Sequence, residues 1–364
     1  MSEPMDLLSV TISDGVVPRN KIEGKDNSSD DKSNYKVVRA GDMVYNTMRM
    51  WQGASGVSPY DGIVSPAYTI LNNASPFDSR FMALLFKTER LINEFRKNSQ
   101  GLTSDTWNLK YPQIASVKIH VPEIIEQNRI ATCISLLDAR IAAQRRLMGL
   151  LKKHRRGLSN GLFGGKIRVR KSGEWKTYRL GDIVRRVTRK NGVASDVPLT
   201  ISAQHGLIDQ RKFFSKSVAS ADMSGYYLLK CGEFAYNRSS SGEHPFGSIK
   251  RLEQYAQGAV STLYLCFSAI GDEDDAEFLK WYFDSFTWHR EVGLICAEGA
   301  RNHGLLNVPT DGFFDTRHTL PSDKMERKAI ALLMSLEDAR CSRSETELVH
   351  LTELKTGLLQ QLFV

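Results

Sequence analysis

The sequence predicts an α+β protein: two pseudo-repeated mixed α/β modules, each followed by a long helix, with the two helices pairing as an antiparallel coiled coil. Three observations carry that reading. An ordered internal repeat runs through the chain, glycine-punctuated alternating runs open each copy, and apolar rows at helical coiled-coil spacing close each copy. Each element follows from one of these.

The repeat comes first because it decides the architecture. Leu8-Ser9-Val10-Thr11 and Gly15-Val16-Val17 match Leu199-Thr200-Ile201-Ser202 and Gly206-Leu207-Ile208 at an offset of 191. The same offset carries Tyr35, Gly41, Asp42, Tyr45 and Asn46 onto Tyr226, Gly232, Glu233, Tyr236 and Asn237. "GIVSPAYTIL" from Gly62 matches "GAVSTLYLCF" from Gly258 at an offset of 196. From Ile130-Ala131 and Ile330-Ala331 onward the offset is 200, and it takes Asp138-Ala139-Arg140 onto Asp338-Ala339-Arg340. Within each copy, "YKVVRAGDMVY" and "YYLLKCGEFAY" alternate apolar and polar residues around a glycine, the pattern of half-buried strands. The modules close near Pro122 and Pro321, just ahead of helical periodicity. In the first helix Ile130, Leu137, Leu151 and Leu158 form one row, and Ile134, Ile141, Met148 and Leu162 its companion; Ile330, Leu351 and Leu358 with Met334, Cys341, Leu348 and Leu362 repeat the layout. Both seams break at matching places, Gln144 and Arg155 in one and Ser344 and Lys355 in the other, which predicts that the helices pack on each other with polar residues fixing register. The expected boundaries are residues 1–121, 122–163, 164–320 and 321–364.

Composition bounds the class. A chain of 364 residues with 41% hydrophobic and 25% charged residues has enough apolar side chain for two globular cores. It contains no run of 18 apolar residues, and Met1 to Asp6 lacks a signal-peptide layout, so a cytoplasmic protein without membrane contact is expected. The five cysteines lack a CxxC pair and read as packed thiols. The net charge is +8, yet Arg140 to Lys190 holds 17 Lys or Arg against Glu174 and Asp182. Such a block is the footprint of a polyanion binder, or else a solvated helix face with a basic linker.

Two strand-rich modules alternating with two mutually similar helices resemble the specificity subunits of type I restriction-modification systems. The pieces that carry the resemblance are "LLSVTISDGVVPR" from Leu7, "AGDMVYNTMRMWQGASGVSPYDGIVSPAYTIL" from Ala40, "ISLLDARIAAQRRLMGLLKKHRRGL" from Ile134 and "RLGDIVRRV" from Arg179. The resemblance implies two target-recognition domains that each read half of a split, asymmetric double-stranded DNA target. It implies helices that act as ruler and docking surface for two methyltransferase subunits, and an association with motor-nuclease restriction subunits. No catalysis and no cofactor are implied for this chain; S-adenosylmethionine, ATP and Mg belong to the partner subunits. Residues 164 to 191 have no counterpart in the first copy, so the first recognition domain is expected to be N-terminally short.

Direct readout requires side chains that reach base edges, while Lys and Arg on loops hold phosphates. After the strand ending at Tyr45, "NTMRMWQGAS" offers Asn46, Arg49 and Gln52; the matching place in the second module, "NRSSSGEH", offers Asn237, Arg238, Ser240 and His244. The alternative is an ordinary polar turn at each. Lys190 lies in the basic block, and a later pair of loops contains Lys110 in one module and Arg301, Asn302 and His303 in the other. Asn108 and Asn307 align and read as a shared turn. Ile130, Ile134, Leu137, Ile141, Leu151, Ile330, Met334, Leu348 and Leu351 are the expected interface positions of the helices.

Searches for reactive groups fail. There is no NPPY tetrapeptide, no HExxH among the eight histidines and no GxSxG elbow, and "NGLFGGKI" from Asn160 departs from a phosphate loop at both ends. The acidic run "GDEDDAEFLK" from Gly271 reads as a solvated loop and helix start rather than a metal site. The rival to a DNA reader is a coiled-coil scaffold with two protein-binding modules.

Overall fold

In the computed structural model the described residues are 5–23, 28–72, 77–103, 106–170, 173–202, 206–213, 219–240, 244–296, 304 and 306–363. The chain forms two compact units, Met1–Arg145 with Thr346–Val364, and Arg146–Glu345. Boundaries drawn by element type separate modules from helices. Packing instead cuts through the middle of each long helix, because either end of a helix is buried in a different core.

The first unit begins with β1 (Leu8–Thr11) and β2 (Gly15–Pro18), an antiparallel hairpin whose turn places Gly15 at a φ of 66°. β3 (Lys36–Val38), β4 (Met43–Asn46), β5 (Ser55–Val57), β6 (Gly62–Val64) and β7 (Tyr68–Leu71) follow. β3 pairs with β6, and β4 lies between β5 and β7. The expected half-burial fails at β4: Met43, Val44 and Tyr45 are all buried, because both faces of this central strand are covered. α1 (Ser79–Leu85), α2 (Glu89–Asn98) and α3 (Tyr111–Ala115) complete the module. Asp78 caps α1 through the N–H groups of Arg80 and Phe81. The unit ends with the first half of α4 (Ile124–Phe163) and the last turns of α10 (Lys324–Leu362).

The second unit repeats this plan and adds to it. β8 (Trp175–Arg179), α5 (Leu180–Ile183) and β9 (Val184–Val187) come first, then the hairpin β10 (Leu199–Ser202) and β11 (Gly206–Asp209), α6 (Gln210–Phe213), β12 (Tyr227–Lys230), β13 (Phe234–Asn237), β14 (Ser248–Arg251), β15 (Gln257–Val260) and β16 (Leu265–Ala269). α7 (Glu273–Asp284), α8 (His289–Ile295), α9 (Thr310–Asp315) and β17 (Arg317–Pro321) lead into α10. The order β14-β13-β16-β9 reproduces β5-β4-β7 with one further strand, and β17 pairs with β8. The core gathers Phe234, Tyr236, Phe267, Tyr282, Trp288 and Phe313, and the helices contribute Leu162, Phe163, Ile330 and Met334.

The helices pair antiparallel in both units. Asp138 meets Lys355 at 2.5 Å and Arg140 meets Glu347 at 3.0 Å in the first; Lys152 meets Glu345 at 2.6 Å and Arg155 meets Asp338 at 3.3 Å in the second. Ile130, Ile134, Ile141, Ile330, Met334, Cys341 and Leu351 are buried, and Leu137, Met148, Leu151, Leu158, Leu348 and Leu358 are half-buried; Leu362 is exposed. Where the rows break, Gln144 and Ser344 are nonetheless buried, and Arg155 and Lys355 make the ion pairs just named. Matching side chains also secure the helix starts. Gln127 Nε2 donates to Pro122 O, and Arg327 Nη1 donates to Pro321 O.

Two smaller expectations need correction. Of the five thiols, Cys266 and Cys341 are buried, but Cys133 and Cys231 are exposed, since they lie on outward positions of α4 and of the loop after β12. The acidic run does start a helix, with Gly271 and Asp272 exposed ahead of it, but it is paired as well as solvated: Asp272 and Asp275 form a capping box on α7, and Asp274, Asp275 and Glu273 pair with Lys328, Arg327 and Arg251.

Candidate nucleic-acid interface

In the first unit the loop after β4 is anchored by the fully buried Met50. Asn46 Oδ1 accepts a hydrogen bond from the Met48 N–H at 3.0 Å, an Asx turn that occupies its carbonyl oxygen. Arg49 is exposed with its Nη1 3.4 Å from Gln52 Oε1. Leu109 N–H donates to Thr47 O at 2.8 Å, so the two loops that the sequence sets apart lie side by side, and exposed Lys110 stands near the Asn46–Gln52 turn. Trp51 and Trp107 meet edge to face at 5.1 Å, and the Arg96 guanidinium lies 5.8 Å from the Trp51 ring. Arg96 thus lies against an aromatic pair in the loops that also carry exposed Arg49 and Lys110, a surface suited to phosphate and base contacts. Arg96, Trp51 and Trp107 escape a sequence reading because they are joined only by folding; the one local hint is a tryptophan in each of the two loops.

The second unit has the same convergence with different chemistry. Asn237 Oδ1 accepts from the Ser239 N–H at 3.0 Å, repeating the Asx turn. Arg238 O accepts from the Leu306 N–H at 2.9 Å, and the Ser240 N–H donates to Gly304 O. The Arg238 guanidinium is turned inward: Nη2 donates to Leu263 O at 2.9 Å and Nη1 to Val308 O at 3.3 Å. That residue ties three segments together. Ser240 is exposed, and the His244 ring lies 5.6 Å from Phe286. Nearby, burial and the neighbouring His244 push His289 down to about 4, so it is neutral at pH 7. Arg301, Asn302 and His303 lie outside the described residues. Lys190 is exposed, and its Nζ donates to Gly225 O at 2.9 Å and sits 4.7 Å from the Tyr227 ring.

The basic block changes meaning in three dimensions. Arg140, Lys152, Arg155, Arg168, Arg170, Arg179 and Arg189 all face acids, namely Glu347, Glu345, Asp284, Glu326, Asp323, Asp315 and Glu233. The acids that the sequence places elsewhere fold back onto the block. Segregation along the chain is thus offset in space at these seven positions. Arg185 and Arg186 remain exposed on the outer strand β9. Among the described residues no cluster of three or more His, Cys, Asp or Glu could hold a metal, and no helix is long and apolar enough to cross a membrane.

No sequence-family profile matches the chain, and no characterised protein matches it in sequence. Solved structures do. The HsdS subunit from Thermoanaerobacter tengcongensis is similar with a TM-score of 0.52 and 16% identity over 91% of this chain and 83% of that one. The type I restriction-modification system S subunit from M. genitalium is similar with a TM-score of 0.53 and 14% identity over 91% and 85%. A chain from a structure of type I system assembly and conformational transition gives 0.50 and 15% over 91% and 84%. The class defined is therefore one of fold. This chain has the duplicated module-and-helix fold of type I S subunits.

Proposed function

We propose that the chain is the specificity subunit of a type I restriction-modification complex. Each unit reads one half of a split double-stranded DNA target, and the helices dock methyltransferase and motor-nuclease subunits. The chain performs no chemistry; S-adenosylmethionine, ATP and Mg are used by the partner subunits. One observation carries the reading: converging loop pairs occupy equivalent places in the two units and present different side chains, Arg49 and Lys110 in one and Ser240 and His244 in the other. Equivalent placement with unlike chemistry suits two readers of unlike half-sites.

The test is co-expression with the neighbouring methyltransferase subunit, followed by methylation sequencing of host DNA with and without this chain. The expected result is a split, asymmetric motif methylated only when the chain is present. A complex that forms and yields no motif overturns the reading. The ion pairs within the basic block favour a second one, a scaffold whose modules bind protein. Salt separates the two: DNA affinity falls steeply as salt rises, and an apolar protein contact changes little.

A further inference from the structure

Within the second unit, the end of α4, β8, β17 and the turn between α7 and α8 enclose a cavity of about 480 Å³. That volume lies within the range of small-molecule sites, about 300–1,000 Å³. The cavity shares no residue with the loop after β13, so it is separate from the surface proposed to meet DNA. Its apolar walls are the buried Phe163 and Tyr282 and the half-buried Trp175. Gly164 and Gly165, just past the end of α4, line it without side chains.

The polar groups of the lining define what could fill it. Trp175 Nε1 is buried and has no hydrogen-bond partner, an unfavourable state that an acceptor in the cavity would relieve. His318 offers no ring nitrogen, because the Tyr282 hydroxyl and Thr316 Oγ1 hold both. Arg168 lies 5.4 Å from the Trp175 ring, but Glu326 matches its charge. Two further guanidinium groups line the cavity and are exposed. Arg317 meets no acid among the described residues, and Arg290 reaches Glu291 only at 4.0 Å. Such a pair suits a phosphate, which each guanidinium can grip through two N–H groups. Glu291 is the one carboxylate in the lining, and it asks for a donor on the ligand.

We infer that this cavity binds a nucleoside monophosphate whose base carries an amino group. The base lies among Phe163, Trp175 and Tyr282, accepting from Trp175 Nε1 and donating to Glu291. The phosphate lies at the mouth, between Arg290 and Arg317. A phosphate ion alone would leave the aromatic walls uncovered, and an uncharged ring would leave both arginines unmatched.

The experiment titrates the full chain, at one fixed ionic strength, with adenosine, cytidine and guanosine monophosphates, and reads binding by calorimetry. The expected result is saturable one-to-one binding of at least one of the three. Its nucleoside, inorganic phosphate, and uridine monophosphate, whose ring has no amino group, bind at least ten-fold more weakly. Arg290→Gln and Arg317→Gln chains with unchanged melting curves also lose at least ten-fold, whereas Lys230→Gln, at an exposed lysine outside the cavity, binds as wild type does. Absence of saturable binding overturns the proposal, as does equal affinity for the nucleoside, for inorganic phosphate or for uridine monophosphate. Retained affinity in both arginine variants places the ligand elsewhere and overturns it too. So does displacement of the nucleotide by a double-stranded oligonucleotide, since the cavity would then belong to the DNA surface.

Discussion

His318 shows how a single buried side chain makes the second unit sensitive to acid. Its Nδ1 lies 2.8 Å from the Tyr282 hydroxyl and its Nε2 2.8 Å from Thr316 Oγ1, which itself donates to Phe313 O. Thr316 has spent its proton, so Nε2 donates, and in the neutral ring Nδ1 accepts from the Tyr282 hydroxyl. Burial accordingly pushes His318 down to about 4. The unfolded chain binds a proton at about pH 6.5 that the folded chain refuses. Stability is therefore fully present above that value and is lost as pH falls toward 4, by on the order of 3 kcal/mol. Urea melts from pH 7 to 4.5 should show the loss in wild type and a shallower one in His318→Gln. Arg168 makes a second residue-level case. Its Nε and Nη2 lie 2.8 Å and 2.9 Å from the two oxygens of Glu326, whose side chain is fully buried. Arg168→Met leaves that carboxylate uncompensated and should lower stability strongly, while Arg168→Met with Glu326→Leu recovers most of the loss. A double variant as unstable as the single one rules out charge as the cause.

At the scale of elements, the loops after β4 and β13 invite opposite predictions for two arginines that the sequence treats alike. Arg49 is exposed, so Arg49→Ala should weaken DNA binding and lower the slope of log affinity against log salt by about 1, as should Lys110→Ala. Arg238 is consumed by Leu263 O and Val308 O, so Arg238→Ala should lower the melting temperature and leave the salt slope alone. Equal slopes for all three variants would remove Arg49 and Lys110 from the interface. Alternation and glycine spacing made the strands legible, since period and turn chemistry are local properties. The helix pairing was equally legible, through rows whose Ile residues are buried and whose Leu residues are mostly half-buried. What pairing does to charge was not: whether Arg155 meets solvent or Asp284 depends on residues more than a hundred positions away. The full burial of β4, and the inward turn of Arg238, likewise depend on neighbours that no local pattern specifies.

At the scale of the molecule, the unit of folding is not the unit of sequence. The span from 164 to 320 reads as a complete module, but its core includes Leu162 and Phe163 from the end of α4 and Ile330, Ala331 and Met334 from the start of α10. A fragment of residues 164–320 therefore exposes the face on which those side chains pack. It should bind a hydrophobic dye and unfold without a cooperative transition, whereas residues 146–345 should melt as one. The first unit makes the same demand in another form. Its Phe81 packs with Ile130 and Ala131, and the Phe363 ring lies 5.2 Å away, so residues 1–145 should gain stability when a peptide of residues 346–364 is added. Calorimetry of the four samples decides the matter. A cooperative transition in 164–320, or no response of 1–145 to the peptide, would mean that the modules fold without the helix ends. The helices would then only connect the cores, whereas the burial of their ends makes them part of each core.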